Sequence, residues 1–147
     1  MAALTRDELI ATFAGFPTRL ADAVRDAAGM PIPPDKWGAP ENVRHLIAVE
    51  RLVWHVRFVE VLTLADPRWS WKEPGQEPGL DDASVDDIVS AFAAVRAETV
   101  ATVAGFTDDD WARSGTHDTY GVLDVAGLLG LAIRHDAEHL RGILAPA

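Results

Sequence analysis

The sequence predicts an all-α protein, a four-helix bundle, and three observations carry the prediction. Four long segments space their apolar residues three and four apart, the period of a helix with one buried face. Almost nowhere do apolar and polar residues alternate with the period of two that a half-buried strand requires. Each segment runs to roughly 20 residues, and amphipathic helices of that length bury their stripes most simply against one another. At 147 residues the chain has the length of one domain, residues 1–147, with a continuous core.

The first helix is expected from about Thr5 to Ala28. Thr5 and Glu8 have capping-box spacing, Leu9, Ile10, Phe13, Phe16, Leu20 and Val24 form the stripe, and Gly29 stands where the helix should end. Pro17 should kink it, because proline removes one helical hydrogen bond and crowds the preceding turn. Residues 30–40, MPIPPDKWGAP, carry four prolines and predict an extended connection. The second helix starts near Pro40 and runs to about Ala65 on Val43, Leu46, Leu52, Val53, Val56 and Val59, with Pro67 as its stop.

Residues 66–83 form a long loop whose tryptophans, Trp69 and Trp71, should pack on the bundle. Ser84 caps a third helix that places Ile88, Phe92, Val95, Thr99 and Val103 on one face, and Gly105 closes it. Thr107 to Trp111 reads as a capped single turn. A polar stretch through Thr119 then leads to the fourth helix, from about Val122 to Leu144. Inside it Gly127 and Gly130 each cost roughly 1 kcal/mol against alanine, which predicts close approach by a neighbouring helix. The two long connections permit crossovers between the helices.

The net charge of −10 is spread along the chain, so its field repels phosphate backbones and anionic lipid, and neither nucleic acid nor a membrane is an expected partner. There is no cysteine, which excludes disulfides, thiolate ligands and a cysteine nucleophile; any thiol chemistry needs an external thiol. The N-terminal MAALTRDELI turns acidic before a signal-like apolar stretch develops, and the longest apolar run, Val125 to Ile133, is far short of the ~20 residues that span a bilayer. The expected compartment is the cytoplasm.

Histidine supplies the candidate chemistry. His135 and His139 are about 40° apart around the fourth helix, on the stripe with Leu128, Leu131 and Ala132. His45 shares a stripe of the second helix with Val49, Leu52 and Val56, so three imidazoles are expected to point inward. Histidines at i and i+4 with a third from a facing helix make three protein ligands for one ion, with a coordination position open. Water there would be acidified toward a pKa near ~7 if the ion were zinc. The chain offers no obvious fourth ligand.

His55 is about 15 Å further along the helix than His45 and points about 80° away, too far to share the ion. His117, in the polar stretch before the fourth helix, is a rim contact for substrate or a bystander. Asp136 and Glu50 either accept hydrogen bonds from the ligands or lie on solvated surface. Trp37, Trp54, Trp69, Trp71 and Trp111 are most simply anchors of core and loops.

Other motifs fail. No glutamate has a histidine three residues later, which excludes the di-iron carboxylate pattern. Residues 135–139 spell H-x-x-E-H, the inverted zinc-protease pattern, but only eight residues remain downstream for its third ligand. Glu138 remains a candidate catalytic base. There is no G-x-S-x-G, P-loop or G-x-G-x-x-G.

The stretches DKWGAPENVRHLIAVE, DDDWARSGTHDTYG and LAIRHDAEHLRGI, in that order and spacing, resemble the DinB/YfiT-like superfamily over nearly the whole chain. The resemblance implies a four-helix bundle of unusual connection order in which three histidines hold a divalent cation, zinc or nickel. The match lands on His45, His135 and His139. It also implies an external low-molecular-weight thiol, mycothiol or bacillithiol, as a co-substrate of some relatives, and makes a homodimer plausible.

The first expectation is therefore a metal-dependent transferase or hydrolase that activates water or a thiol against a small electrophilic substrate. The alternative is a non-catalytic protein that contains a metal or sequesters a small molecule, which a full set of four protein ligands would favour. A metal-free bundle with satisfied core histidines is the third possibility.

Overall fold

The computed structural model describes residues 3–146. Helix α1 (Arg6–Asp26) starts at the expected box: the Thr5 hydroxyl accepts from the Glu8 N–H at 3.1 Å and the Glu8 carboxylate from the Thr5 N–H at 3.0 Å. Pro17 does not interrupt it. Proline has no N–H to offer the carbonyl four residues back, and that carbonyl, on Phe13, accepts instead from Arg96 Nη1 at 3.0 Å. Gly29 follows the helix at φ +80°, a left-handed conformation natural to glycine.

Helix α2 (Ala39–Val49) has Pro40 in its first turn, where no N–H is needed, and Glu41 accepts from the Gly38 N–H at 3.0 Å. The rod continues through a π-helical turn (Glu50–Trp54) into α3 (His55–Thr63). This turn corrects the stripe expected for the second helix. Its wider i→i+5 bonding inserts a residue and rotates everything downstream by about 100°. Leu52, Val56 and Val59 consequently face solvent, while Val53, Trp54, Arg57, Phe58 and Val61 are buried.

A three-stranded sheet also departs from the all-helical expectation, although helices dominate the fold. Strand β1 (Arg68–Trp69) pairs parallel with β2 (Ser114–His117), which pairs antiparallel with β3 (Gly121–Asp124). Gly115 has no side chain because Trp69 lies over it: a Cβ would come within 2.5 Å of the indole. Strand β3 takes residues assigned to the start of the fourth helix, and Asp124 caps α6 (Val125–Leu144) through the Gly127 N–H at 2.8 Å.

Between β1 and β2 come α4 (Val85–Ala104), capped by Ser84, and the short α5 (Asp108–Trp111), capped by Thr107. Helix α1 packs against α4 and α6, and α2 packs against the same two. Consecutive α1 and α2 thus lie on a diagonal, which explains the long proline-rich crossing between them. Helices α2 and α6, the carriers of the three histidines, are neighbours.

The core has two apolar clusters, one around Phe13, Phe58 and Leu129, the other around Phe16, Leu46 and Phe92. The glycines of α6 do not mark helix contact. A Cβ on Gly127 would meet Leu123 and Asp124 just upstream, and one on Gly130 would meet nothing within 4 Å. No helix among the described residues is long and apolar enough to cross a membrane.

Candidate metal centre

His45 lies in the second turn of α2, and His135 and His139 lie one turn apart on the facing stretch of α6. Their rings gather: centroids are 4.5 Å apart for His135 and His139, 4.7 Å for His45 and His139, and 6.0 Å for His45 and His135. One nitrogen from each, with one oxygen of Glu73, forms a group whose members all lie within 4.8 Å of one another. A tetrahedral ion with bonds of about 2.1 Å sets its ligand atoms roughly 3.4 Å apart, so small ring rotations would close such a shell.

The nitrogens on the far side of two rings are committed elsewhere. His45 Nδ1 donates to the Gly75 carbonyl at 3.2 Å, and His139 Nδ1 donates to Asn42 Oδ1 at 2.9 Å. The Asn42 amide is oriented in turn, because its nitrogen donates to the Gly38 carbonyl at 2.9 Å. These bonds place the proton on Nδ1 and leave a lone pair on Nε2, the tautomer a metal-binding histidine needs. His135 Nδ1 is buried with no hydrogen-bond partner among the described residues, a state costly for a ring that had only packing to do.

Burial, then the facing His139 and His45, holds His135 down to about 3. His139 is held down to about 4 by burial and by His45. Both are therefore neutral at pH 7 and free to donate electron pairs, so the residues present fit a divalent cation.

Other predicted residues fall elsewhere. His55 pairs with the Thr99 hydroxyl at 3.3 Å, away from the cluster. His117 is buried on β2 rather than set in a polar loop; its Nδ1 accepts from the Thr119 N–H at 3.0 Å, and the ring lines a cavity beside the histidines. Glu138 lies on the wall of that cavity and outside the ligand group. Trp54, Trp69 and Trp111 are buried anchors as expected. Trp37 and Trp71 are exposed, with Trp37 beside the His45 ring at 5.0 Å and Trp71 lining the cavity.

Glu50 and Asp136 neither orient ligands nor meet solvent. Both are buried on Arg96, with Asp136 gripping the guanidinium through two bonds of 2.9 Å and Glu50 through one of 2.9 Å. Arg96 also lies over Phe13, 3.8 Å from the ring centre, with Phe92 at 5.0 Å, and so joins the two core clusters.

Sequence reasoning missed Glu73, Asn42 and Arg96. Glu73, on the loop after β1, brings Oε1 to 2.7 Å from His45 Nε2 and corrects the expectation that no fourth ligand-type group exists. Loop carboxylates have no periodicity, so nothing in the sequence marked it.

A family model for the DinB superfamily matches residues 1–143. No curated protein matches the chain. Among solved structures the chain is similar to YfiT from Bacillus subtilis, described as "a probable metal-dependent hydrolase with an unusual four-helix bundle topology". The two are 20% identical, the alignment covers 97% of this chain and 87% of that one, and the TM-score is 0.72.

Proposed function

The chain belongs to the DinB superfamily, and on that footing we propose that it is a metal-dependent enzyme whose His45, His135 and His139 hold a divalent cation, zinc or nickel. The observation that carries the reading is the convergence of three imidazoles from two neighbouring helices, two of them held in the ligating tautomer by Gly75 and Asn42. When bound, such a cation supplies Lewis acidity, which lowers the pKa of water or a thiol and polarises an electrophile.

The chain's own residues do the rest. The cavity beside the histidines is walled by Trp54, Trp71 and Tyr120 and edged by Arg57, Lys72 and Arg134, a lining suited to a small molecule with a flat or acidic part. On this reading Glu138, on the cavity wall, takes or returns a proton. The description of YfiT supports the hydrolase form, in which water attacks. In the transferase form the nucleophile is an external thiol such as mycothiol or bacillithiol, since this chain has no cysteine. The second reading, a non-catalytic metal-containing or sequestering protein, is favoured by Glu73, which completes a set of four ligand-type groups.

Elemental analysis of protein purified without a histidine tag tests the proposal. One transition-metal ion per chain is expected, with a melting temperature that chelator lowers and His45→Ala abolishes as a chelator response. Protein that carries no metal and melts identically with and without chelator would end both metal readings.

A further inference from the structure

Glu73 poses a problem of charge. His45 commits its Nδ1 proton to the Gly75 carbonyl, so in the neutral ring Nε2 presents a lone pair. A lone pair and a carboxylate oxygen 2.7 Å apart repel unless a proton or a cation mediates between them. A shared proton would make an N–H···O hydrogen bond, yet Nε2 is fully buried and has no hydrogen-bond partner among the described residues. A cation bound jointly with His135 and His139 removes the conflict, because the ligand atoms of all four side chains lie within 4.8 Å of one another.

We propose that Glu73 is a fourth protein ligand of this cation, and a displaceable one that holds the coordination position a reacting molecule must take. The proposal rests on the metal-site reading above. Two observations support a displaceable ligand. Its side chain is 46% exposed while that of His45 is fully buried, so Glu73 closes the cluster from the solvent side. Its loop is also anchored on both flanks.

Upstream, the Ser70 carbonyl accepts from Arg57 at 2.8 Å and the Ser70 hydroxyl donates to Asp118 at 2.6 Å. Downstream, Gly75 is held by His45, Gln76 accepts from Arg44 at 2.9 Å, and Glu77 is tied to the Arg44 carbonyl and the Arg51 guanidinium. An outward swing of Glu73 would leave these anchors, and the loop with them, in place.

The cavity needs that movement. Its free space is about 40 Å³, room for a water or two but not for a substrate, and Trp71, Lys72 and Glu73 form its loop-side wall. Outward movement of this short span clears the coordination position and enlarges the cavity together. Four protein ligands are thereby compatible with an enzyme: the closed shell is the resting arrangement.

Cobalt(II) is the probe, loaded into wild type, Glu73→Gln and Glu73→Ala, with affinity read by chelator competition and geometry by the visible absorption bands. Removing a partner that only orients a ligand typically weakens binding about 10–100-fold, so loss of a ligand should weaken cobalt binding by at least about tenfold. Both variants should still bind cobalt, with altered bands, and thiocyanate should reach the cobalt of Glu73→Ala at lower concentration than that of wild type.

Unchanged affinity, bands and thiocyanate response would overturn the role of Glu73 and leave the histidine site standing. Wild type that takes up no cobalt would overturn the site reading itself. Circular dichroism checks folding, and the near-isosteric glutamine variant decides the matter if the alanine variant does not fold.

Discussion

His139 shows how one side chain's chemistry depends on a neighbour that touches no ligand position. Its Nδ1–H is fixed by Asn42, itself fixed by Gly38. Asn42→Ala should release the ring and weaken zinc binding about 10–100-fold, as measured by chelator competition, while His139 remains in place.

Protonation provides a second check at this scale. His135 and His139 have folded values of about 3 and about 4, below the ordinary 6.5. The unfolded chain therefore takes up their protons first as pH falls, so their stabilising contribution is complete above pH 6.5 and is lost as pH drops toward 4. Asp136 opposes this in part: burial raises its carboxyl to about 6 from 3.8 despite Arg96, so the folded state gains a proton over that interval. Two histidines against one carboxyl leave a net loss. The melting temperature of metal-free protein should fall from pH 6.5 to 4, and a rise would contradict the burial of these rings.

The three histidines were legible because helical spacing sets the direction of each side chain. Arg96 was legible in principle, since it lies four residues after Phe92 and three before Thr99 on the predicted buried stripe. A charge on such a stripe demands a partner, and Asp136, four residues after Ala132 of the fourth helix's stripe, is the complement the structure supplies. Glu73 was beyond reach, because only folding brings residues 45 and 73 together.

Among the elements, α4 depends on a buried polar contact. Arg96 is buried with both carboxylates on it and supplies the bond that Pro17 denies to the Phe13 carbonyl. Arg96→Met should destabilise by about 3–5 kcal/mol, because two buried acids lose their partner. Adding Glu50→Gln and Asp136→Asn should recover part of the loss in urea denaturation.

The sheet makes an equally local demand. Gly115→Ala places a methyl group against the Trp69 indole and should cost about 1–3 kcal/mol in the same assay. Strands of two to four residues carry too few alternations for periodicity to register, which is why the sheet escaped the sequence. The π-helical turn escaped for a related reason: a single inserted residue leaves the apolar count unchanged and alters only the direction of the side chains downstream of it.

For the whole molecule, the diagonal placement of α1 and α2 makes α2 and α6 adjacent, and that adjacency assembles the site. Length, composition and four amphipathic stripes were sufficient to predict a bundle. They could not order the helices around it, because each stripe fits several neighbours equally well. The resemblance to the DinB/YfiT-like superfamily supplied the unusual order that periodicity could not, and the matches to the family model and to YfiT agree with it.

On the proposed reading His45, His135 and His139 together grip one divalent cation. Anomalous diffraction at the zinc edge, from a crystal of the untagged protein grown with zinc, tests it most directly. One strong peak is expected about 2.1 Å from a nitrogen of each ring. A map with no peak among the three rings, or with zinc bound elsewhere while they remain bare, would contradict it.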